Sequence, residues 1–334
     1  MSEPPDLAQA LLNPDFYPGT PSNIDLVQKA TSWVFLTGEY AYKVKKPIDY
    51  GFLDYTTLEK RRFYCNREIV LNRRLCPDIY LDTVSITEDK NGISVEGKGK
   101  AIEYAVKMKQ MPQSDMLDVL LQKNEVPDDA VERIARKLAE FHGKAGNNGT
   151  INDYGVMEFI LTNTENNFLN TIRYISKTIS QKRYRDIKDY TNRFIENNTA
   201  LFYERIADNK IRDCHGDIRA KHICINGDVF IFDCIEFNDS LRYCDTASEI
   251  ALLAFDLDRY DRHDLSRELE DTYAALTGDE DLPRIINFYK CYRACESGRL
   301  ESMKLETPGI TDEQTASLVD IASKCFELAE SYIC

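Results

Sequence analysis

Residues 212 to 239, RDCHGDIRAKHICINGDVFIFDCIEFND, hold two carboxylates in a setting that suits phosphoryl transfer. His215-Gly216-Asp217 opens the stretch and Phe232-Asp233 closes it, with a short apolar hairpin between. In such a layout one Asp orients or accepts the proton of an attacking hydroxyl, and a second holds the Mg2+ that bridges nucleotide phosphates. Ile223 and Ile225 alternate with His222 and Cys224, Asn226-Gly227-Asp228 supplies the positive-φ positions of a tight turn, and Val229 to Phe232 returns. Pairing about that turn sets His222 opposite or close to Ile231 and Asp233, whichever of two registers is used. Asp217, His222 and Asp233 are therefore expected to share one cleft. A lone His-Gly-Asp, or a lone Asp after an apolar strand, is an ordinary turn feature. Their combination with an Asn-Gly hairpin points to a nucleotide-phosphate site.

The elements around this stretch set a small strand-rich part before a larger helical one. Trp33 to Leu36, a Thr37-Gly38-Glu39 turn and Tyr40 to Lys45 read as a hairpin stopped by Pro47. Thr57 to Leu75 reads as a helix whose broken apolar stripe is Leu58, Phe63, Ile69 or Val70, and Leu75. Ile93 to Val95, turning through Gly97 to Gly99 into Ile102 to Met108, reads as a second hairpin. Asp128 to His142, behind Pro127, is an amphipathic helix with acids at its start. Four further helices are expected over 245–260, 264–276, 283–305 and 311–332. The fold class is α+β and bilobal, with residues 1–111 as a small β-rich lobe and 112–334 as a larger, mainly helical one. Lys107 to Pro112 reads as the hinge between them, where a ligand cleft is expected.

Composition narrows the partners. Lys and Arg total 42 against 56 Asp and Glu, a net charge of -14, which argues against a general binder of nucleic acid or anionic membranes. A cationic or neutral substrate fits better. No apolar run approaches the roughly 18 residues of a membrane span, and Met1 to Asp6 lacks the basic segment of an export signal, so a cytoplasmic location is expected. Cys214, Cys224, Cys234 and Cys244 fall at regular intervals without zinc-knuckle spacing, and Cys291 and Cys295 have no nearby His in sequence; the ten cysteines read as reduced thiols.

The chain resembles the aminoglycoside phosphotransferase-like branch of the protein-kinase-like fold, and more closely the kinase-like module of bifunctional proteins that pair it with an ATP-binding P-loop domain. SWVFLTGEYAYKVKKPIDYGFLDYTTLEKRR at 32 to 62, REIVLNRRLCPDIYL at 67 to 81 and the stretch from 214 to 258 carry the resemblance. No G-x-x-x-x-G-K-[ST] occurs, so the kinase-like module alone is expected, and a partner ATPase domain on a separate chain stays open. The resemblance implies an ATP- or GTP-dependent kinase acting on a hydroxylated small molecule with Mg2+, or alternatively Mn2+. It makes Asp217 the residue that orients and deprotonates the acceptor hydroxyl, and Asp233 the metal ligand. Lys43 becomes the strand lysine for the phosphates, with Lys45 on the same strand face as its rival and Lys46 as part of a basic edge. Glu68, or alternatively Glu59, pairs with that lysine. Gln110 and Met111 offer backbone groups to adenine.

Two departures stand out. His222 occupies the position where the family has an Asn metal ligand; imidazole suits Mn2+ or Zn2+ better than Mg2+, so it binds metal differently, contacts phosphate, or packs the hairpin. Lys29-Ala30-Thr31-Ser32 stands where a glycine-rich loop is usual, leaving backbone N–H groups and the Ser32 or Thr31 hydroxyl to hold phosphate. Asp245, Glu249, His215 and His142 read as scaffolding, and Glu236 and Asp239 as turn acids. The alternative function is a nucleotide-binding pseudokinase without catalysis. The resemblance puts the acceptor against the segment 150 to 210, rich in Asn, Tyr, Lys and Arg, and leaves its identity open.

Overall fold

A computed structural model describes residues 6–90 and 92–333. Met1 to Pro5, on which the export-signal argument rests, and Cys334 lie outside the described residues. The chain forms two compact units, one of residues up to 116 with 224–239, the other of residues 117–223 with 240–334. Residues 224–239, grouped by the sequence reading with the later lobe, pack with the first unit because backbone groups after the hairpin bond to it. Cys234 N–H donates to Asn72 Oδ1 at 2.9 Å, and Asp233 N–H donates to the Tyr80 hydroxyl at 3.2 Å.

The first unit runs through helix α1 (Asp6–Ala10), strands β1 (Asp25–Gln28), β2 (Ser32–Leu36) and β3 (Tyr40–Lys45), helix α2 (Leu58–Asn72), and strands β4 (Tyr80–Asp89), β5 (Gly92–Val95) and β6 (Lys100–Lys109). The six strands form one sheet in the order β1-β2-β3-β6-β4-β5. The expected pairing of Ile93–Val95 with Ile102–Met108 is not formed: Val95 faces Ile86 of β4, and β6 lies between β3 and β4. Gly97 and Gly99 serve a close crossing rather than a hairpin turn, since a Cβ at Gly99 would meet the Glu88 carbonyl oxygen at 2.5 Å. Strand β4 itself escapes the sequence reading, its Thr83, Ser85 and Thr87 masking the alternation of Val84 and Ile86.

Register decides which side chains look which way. Ser32 faces Lys45 and Val34 faces Lys43 across β2 and β3, while Lys43 faces Val106 of β6. Directly paired residues share a sheet face, so both lysines lie on the face that carries Val106, whose neighbours are Cys65 and Ile69 of α2. Trp33, Phe35, Tyr42 and Val44 fill the opposite face against Ala8 and Leu11. Helix α2 starts where Thr57 accepts from Lys60 N–H at 3.2 Å. Its expected apolar stripe fails at Phe63, which is 56% exposed; of the alternatives Ile69 and Val70 it is Ile69 that is buried, and Arg61 and Glu68 are buried as well. A helix face that buries charge is invisible to apolar periodicity.

The second unit follows through α3 (Leu117–Lys123), α4 (Ala130–Lys144), α5 (Gly149–Asn152), α6 (Met157–Thr171), α7 (Gln181–Asn197), α8 (Thr199–Ala207) and strand β7 (Ile211–Asp213). The hairpin of β8 (Ile223–Asn226) and β9 (Asp228–Ile231) turns at Gly227 with φ +68°, as its sequence requires. The chain then forms β10 (Tyr243–Asp245), paired antiparallel with β7, and helices α9 (Thr246–Asp258), α10 (His263–Thr277), α11 (Leu282–Met303) and α12 (Asp312–Ser331). Every residue of α9 is buried. Leu252 and Phe255 of this central post pack with Phe168, Ile187 and Phe326 from three other helices. Its start is fixed by Asp245, which accepts from Ala247 N–H at 2.8 Å and is held by the buried Arg205, itself also bonded to Asp279.

The α11 and α12 contact depends on Gly298, where a Cβ would meet the Phe326 ring at 2.9 Å. Gly298→Ala should cost about 1–3 kcal/mol by overpacking. Gly143→Ala, in α4 with nothing within 4 Å of the added carbon, should instead stabilise by up to about 1 kcal/mol through the better helix former. Denaturant midpoints of the two variants should move in opposite directions; equal midpoints would refute this packing.

Candidate functional site

Each unit contributes one cluster of chemistry-bearing groups. In the first, Lys43 Nζ lies 2.8 Å from Glu68 Oε1 and 2.6 Å from Asp233 Oδ1. Lys45, two residues along the same strand face, lies 2.7 Å from the other oxygen of Glu68 and bonds to Glu236, which also accepts from the Tyr55 hydroxyl. Of the two rival lysines, Lys43 therefore reaches the hairpin-exit aspartate, and Lys45 is locked into a buried pair of glutamates. Of the two candidate helix acids, Glu68 is fully buried between the lysines, and Glu59 is exposed. Burial alone would lower the pKa of Lys43, but the carboxylates of Asp233 and Glu68 outweigh it and push it well above the usual range. Glu236 is no solvated turn acid: burial opposes its charge, yet Lys45 and Lys43 hold its pKa down.

Asp233 has a left-handed backbone, φ +67°, a conformation Asp tolerates better than most residues. Its second oxygen lies 2.9 Å from Nζ of Lys29, a residue the sequence reading counted only as part of a glycine-free loop. Lys29 sits at the β1–β2 turn, where its N–H donates to the Ser32 carbonyl at 2.9 Å. Lys29, Lys43 and Lys45 thus face Glu68, Asp233 and Glu236, a balanced set in which Lys29 is the most exposed cation. The partly exposed Asp233 carboxylate, with the more exposed Lys29 ammonium on one oxygen, is a hard oxygen donor of the kind that suits Mg2+.

The other expected nucleotide contacts are less open than the sequence suggested. Ser32 is 1% exposed, and its Oγ has no hydrogen-bond partner among the described residues. Gln110 N–H donates to the Glu39 carbonyl at 3.0 Å and its side chain accepts from Gly38 N–H at 2.8 Å, leaving the Gln110 carbonyl and Met111 as backbone groups for a base.

In the second unit, Asp217 is held by Arg219, whose Nε donates to Oδ1 at 2.7 Å. His222 Nδ1 lies 2.8 Å from the Asp217 carbonyl and 3.6 Å from its Oδ2, so this imidazole edge is committed to Asp217. Burial would raise the Asp217 pKa, but the charges of His222, Arg219 and Lys221 prevail and bring it down to about 2. The loop itself is tied to α9 at both ends. Glu249 accepts from His215 N–H at 2.9 Å and Gly216 N–H at 2.6 Å, and Asp256, seven residues on, accepts from Ala220 N–H at 2.8 Å. Seven residues are two helical turns, which is why one helix face reaches both ends of the loop. His142, read from sequence as helix-end packing, is buried and bonds Glu249 at 2.8 Å and the Tyr273 hydroxyl at 2.8 Å. With Cys214 these form a compact His-Cys-Glu group, but both imidazole nitrogens already have partners.

No family model matches the chain. Uncharacterized proteins of Mycobacterium tuberculosis and Mycobacterium bovis are each 30% identical to it over 282 residues, 84% of this chain and 55% of theirs. The chain thus spans about half the length of the curated relatives it matches, 55%. Among solved structures, a choline/ethanolamine kinase family protein from Mesorhizobium loti aligns with a TM-score of 0.56 and 12% identity, covering 98% of both chains. Aminoglycoside 2'-phosphotransferase-IIIa, in its GDP complex, aligns at 0.56 with 13% identity over 97% of this chain and 99% of its own. Plasmodium vivax ethanolamine kinase aligns at 0.50 with 13% identity over 95% and 85%. The chain has the aminoglycoside phosphotransferase-like form of the protein-kinase-like fold.

The two lysines should separate in stability measurements. Lys45→Met strands Glu68 and Glu236 in a site where the lysine is 1% exposed, and should cost about 3–5 kcal/mol in urea unfolding. Lys43→Met should cost clearly less, because Asp233 keeps Lys29 and some water; an equal or larger loss would contradict the assignment. At Asp217, Arg219→Ala should raise the carboxyl pKa from about 2 towards the ordinary value near ~3.9, read by carboxyl carbon NMR. A depressed folded-state pKa adds stability above the unfolded value and loses it as pH falls through the folded one. The acid unfolding limb of the variant should therefore shift to higher pH, and an unmoved titration would remove Arg219 as the cause.

Proposed function

We propose that the chain is a small-molecule kinase that moves the γ-phosphoryl group of ATP or GTP onto a hydroxyl of its acceptor. The observation that carries this reading is the Lys43 bridge between Glu68 and Asp233. Phosphoryl transfer of this type needs a strand lysine for the phosphates, an acid that aims it, and an aspartate for the metal. Lys43 neutralises the phosphates, Glu68 fixes Lys43, and Asp233 holds Mg2+, or Mn2+ in its place. A divalent ion held there by Asp233 would supply charge neutralisation at the phosphates. Lys29 takes over part of what a glycine-rich loop does, bringing an ammonium to the phosphates.

Asp217 accepts the hydrogen bond of the acceptor hydroxyl and so aims its oxygen at the γ-phosphorus. As that P–O bond forms, the bond to the bridging oxygen breaks, the nucleoside diphosphate leaves, and the hydroxyl proton passes to Asp217 or on to water. His222 is assigned to positioning the Asp217 loop, whose Asp217 carbonyl its Nδ1 contacts at 2.8 Å. Among the described residues all nine cysteines are free, and no helix is long and apolar enough to cross a membrane.

A second reading, a nucleotide-binding module without transfer, is favoured by two observations: His222 replaces the family's Asn, and Lys29 already lies on Asp233. The deciding measurement combines thermal shift with ADP release over a broad panel of hydroxylated acceptors. ATP or GTP with Mg2+ should raise the melting temperature by binding the folded state. Lys43→Ala should abolish that rise, and Lys46→Ala should keep it. Asp217→Asn should keep the rise but lower turnover by about a hundredfold or more. Stabilisation without ADP release across the panel would establish the sensor instead, and no stabilisation at all would sink both readings.

A further inference from the structure

The second unit contains a cavity of about 310 Å3 between α6, β10 and α11 that no role above uses. Asn163, Asn166, Asn167 and Asn170 line it from α6. Their spacing of i, i+3, i+4 and i+7 puts four amides on one helix face, and amides can both donate to and accept from hydroxyls. Tyr289 and Tyr292 of α11, with Tyr154 and Tyr243, add flat aromatic surface. This is a lining for a molecule with many hydroxyl groups and apolar C–H faces.

The charges in the cavity narrow the choice further. Glu296 is 2.8 Å from the guanidinium of Arg293, and Asp245 is bound by Arg205, so both carboxylates of the lining are already neutralised. Arg299 differs: its Nε donates to Asn167 Oδ1 at 2.8 Å and its Nη1 lies 3.4 Å from the Met303 sulfur. Among the described residues no carboxylate pairs with it. The cavity therefore presents one guanidinium with uncompensated charge next to the amide face. Helix α11, which lines the cavity through Glu296, also meets the Asp217 cluster one residue on, where Arg219 Nη2, on the residue that holds Asp217, lies 3.4 Å from Ser297 Oγ.

We infer that this cavity takes a polyhydroxylated, carbohydrate-like acceptor carrying one anionic group, a carboxylate or a phosphate, which Arg299 binds. The net acidity of the chain does not decide the matter, because local compensation leaves this wall positive. An amine-bearing acceptor would place its cation beside Arg299 with no free carboxylate to receive it. The word acceptor rests on the phosphotransfer reading; the ligand class rests on the cavity alone.

The test is a matched binding panel read by saturation-transfer NMR and calorimetry, with nucleotide absent. Its arms are gluconate and other sugar acids, glucose 6-phosphate and other sugar phosphates, the neutral sugars and polyols, and glucosamine and ethanolamine. At least one anionic member should bind about tenfold or more tightly than its neutral counterpart, the effect of a charge-assisted hydrogen bond, and the carboxylate and phosphate arms show which group is preferred. Arg299→Met should erase the difference and Arg299→Lys should retain most of it, both with a native thermal transition. Tightest binding by an amine, no anionic preference, or a preference that survives Arg299→Met would each overturn the inference. The phosphotransfer reading fails separately: binding of a sugar acid without turnover would end that reading and leave this one, whereas turnover of an amine alone would do the reverse.

Discussion

Three ammonium groups and three carboxylates converge on one face of the amino-terminal sheet, and most of them have little water to solvate them. Taking such charges out of water costs several kcal/mol per ion unless each finds partners in good geometry. That constraint fixes the rest of the first unit. The β2–β3–β6 register has to put Lys43 and Lys45 on the α2 side, α2 has to turn Glu68 inward at the expense of its apolar stripe, and the segment after the hairpin has to return Asp233 and Glu236 to the same place. The buried Tyr55 and Tyr80, together with Asn72, then complete the bonds that charge pairing leaves over. A one-residue slip of β3 would turn Lys43 and Lys45 to the opposite sheet face, away from all three carboxylates.

The balance within the network also tells where it can be opened. Lys45, Glu68 and Glu236 are enclosed, so exchanging any of them would expose a buried charge. Lys29 comes from a turn, its side chain is 40% exposed, and it covers one oxygen of Asp233. Removing Lys29 from that oxygen leaves one negative charge in excess at the surface of the network. Under the proposed function, a divalent cation on Asp233 would take the place of that ammonium, which would then be free to meet the phosphates. The exchange would take place at the rim and leave Lys45, Glu68 and Glu236 paired.

How much of this is legible in the sequence follows from how local each signal is. The helices from 245 onward were placed to within about two residues, because caps such as Asp245 and Thr311 and breaks such as Pro283 are local chemistry. The Asn-Gly hairpin was equally plain. What failed was long-range. Strand β4 is too polar to stand out, and its insertion beside β6 could not be seen from the glycines that permit it. Phe63 reads as part of the inward face of α2 because the charges on the true inward face, Arg61 and Glu68, have partners far away in sequence. The choice between Lys43 and Lys45 stayed open for the same reason: both point inward, and only the acids opposite distinguish them. The specific partners of Lys29 and His142, Asp233 and Glu249, are not legible because they lie 204 and 107 residues away.

The acidity of Asp217 bears on what its carboxylate can contribute. In the proposed reaction, a carboxyl held at about 2 by His222, Arg219 and Lys221 against the opposing effect of burial is a poor base towards an alcohol and would not strip the proton before the acceptor oxygen attacks. In a loose phosphoryl-transfer transition state it does not have to, because the hydroxyl becomes strongly acidic only as its bond to phosphorus forms. What is required early is a fixed, fully ionised acceptor of one hydrogen bond. The cations around Asp217 ensure ionisation, and α9, through Glu249 and Asp256, fixes the loop on which it stands. Raising the basicity of Asp217 by removing those cations would therefore trade orientation for proton affinity. The ties from Glu249 and Asp256 to the loop backbone, and from Arg219 to the Asp217 side chain, suit that proposed orienting role.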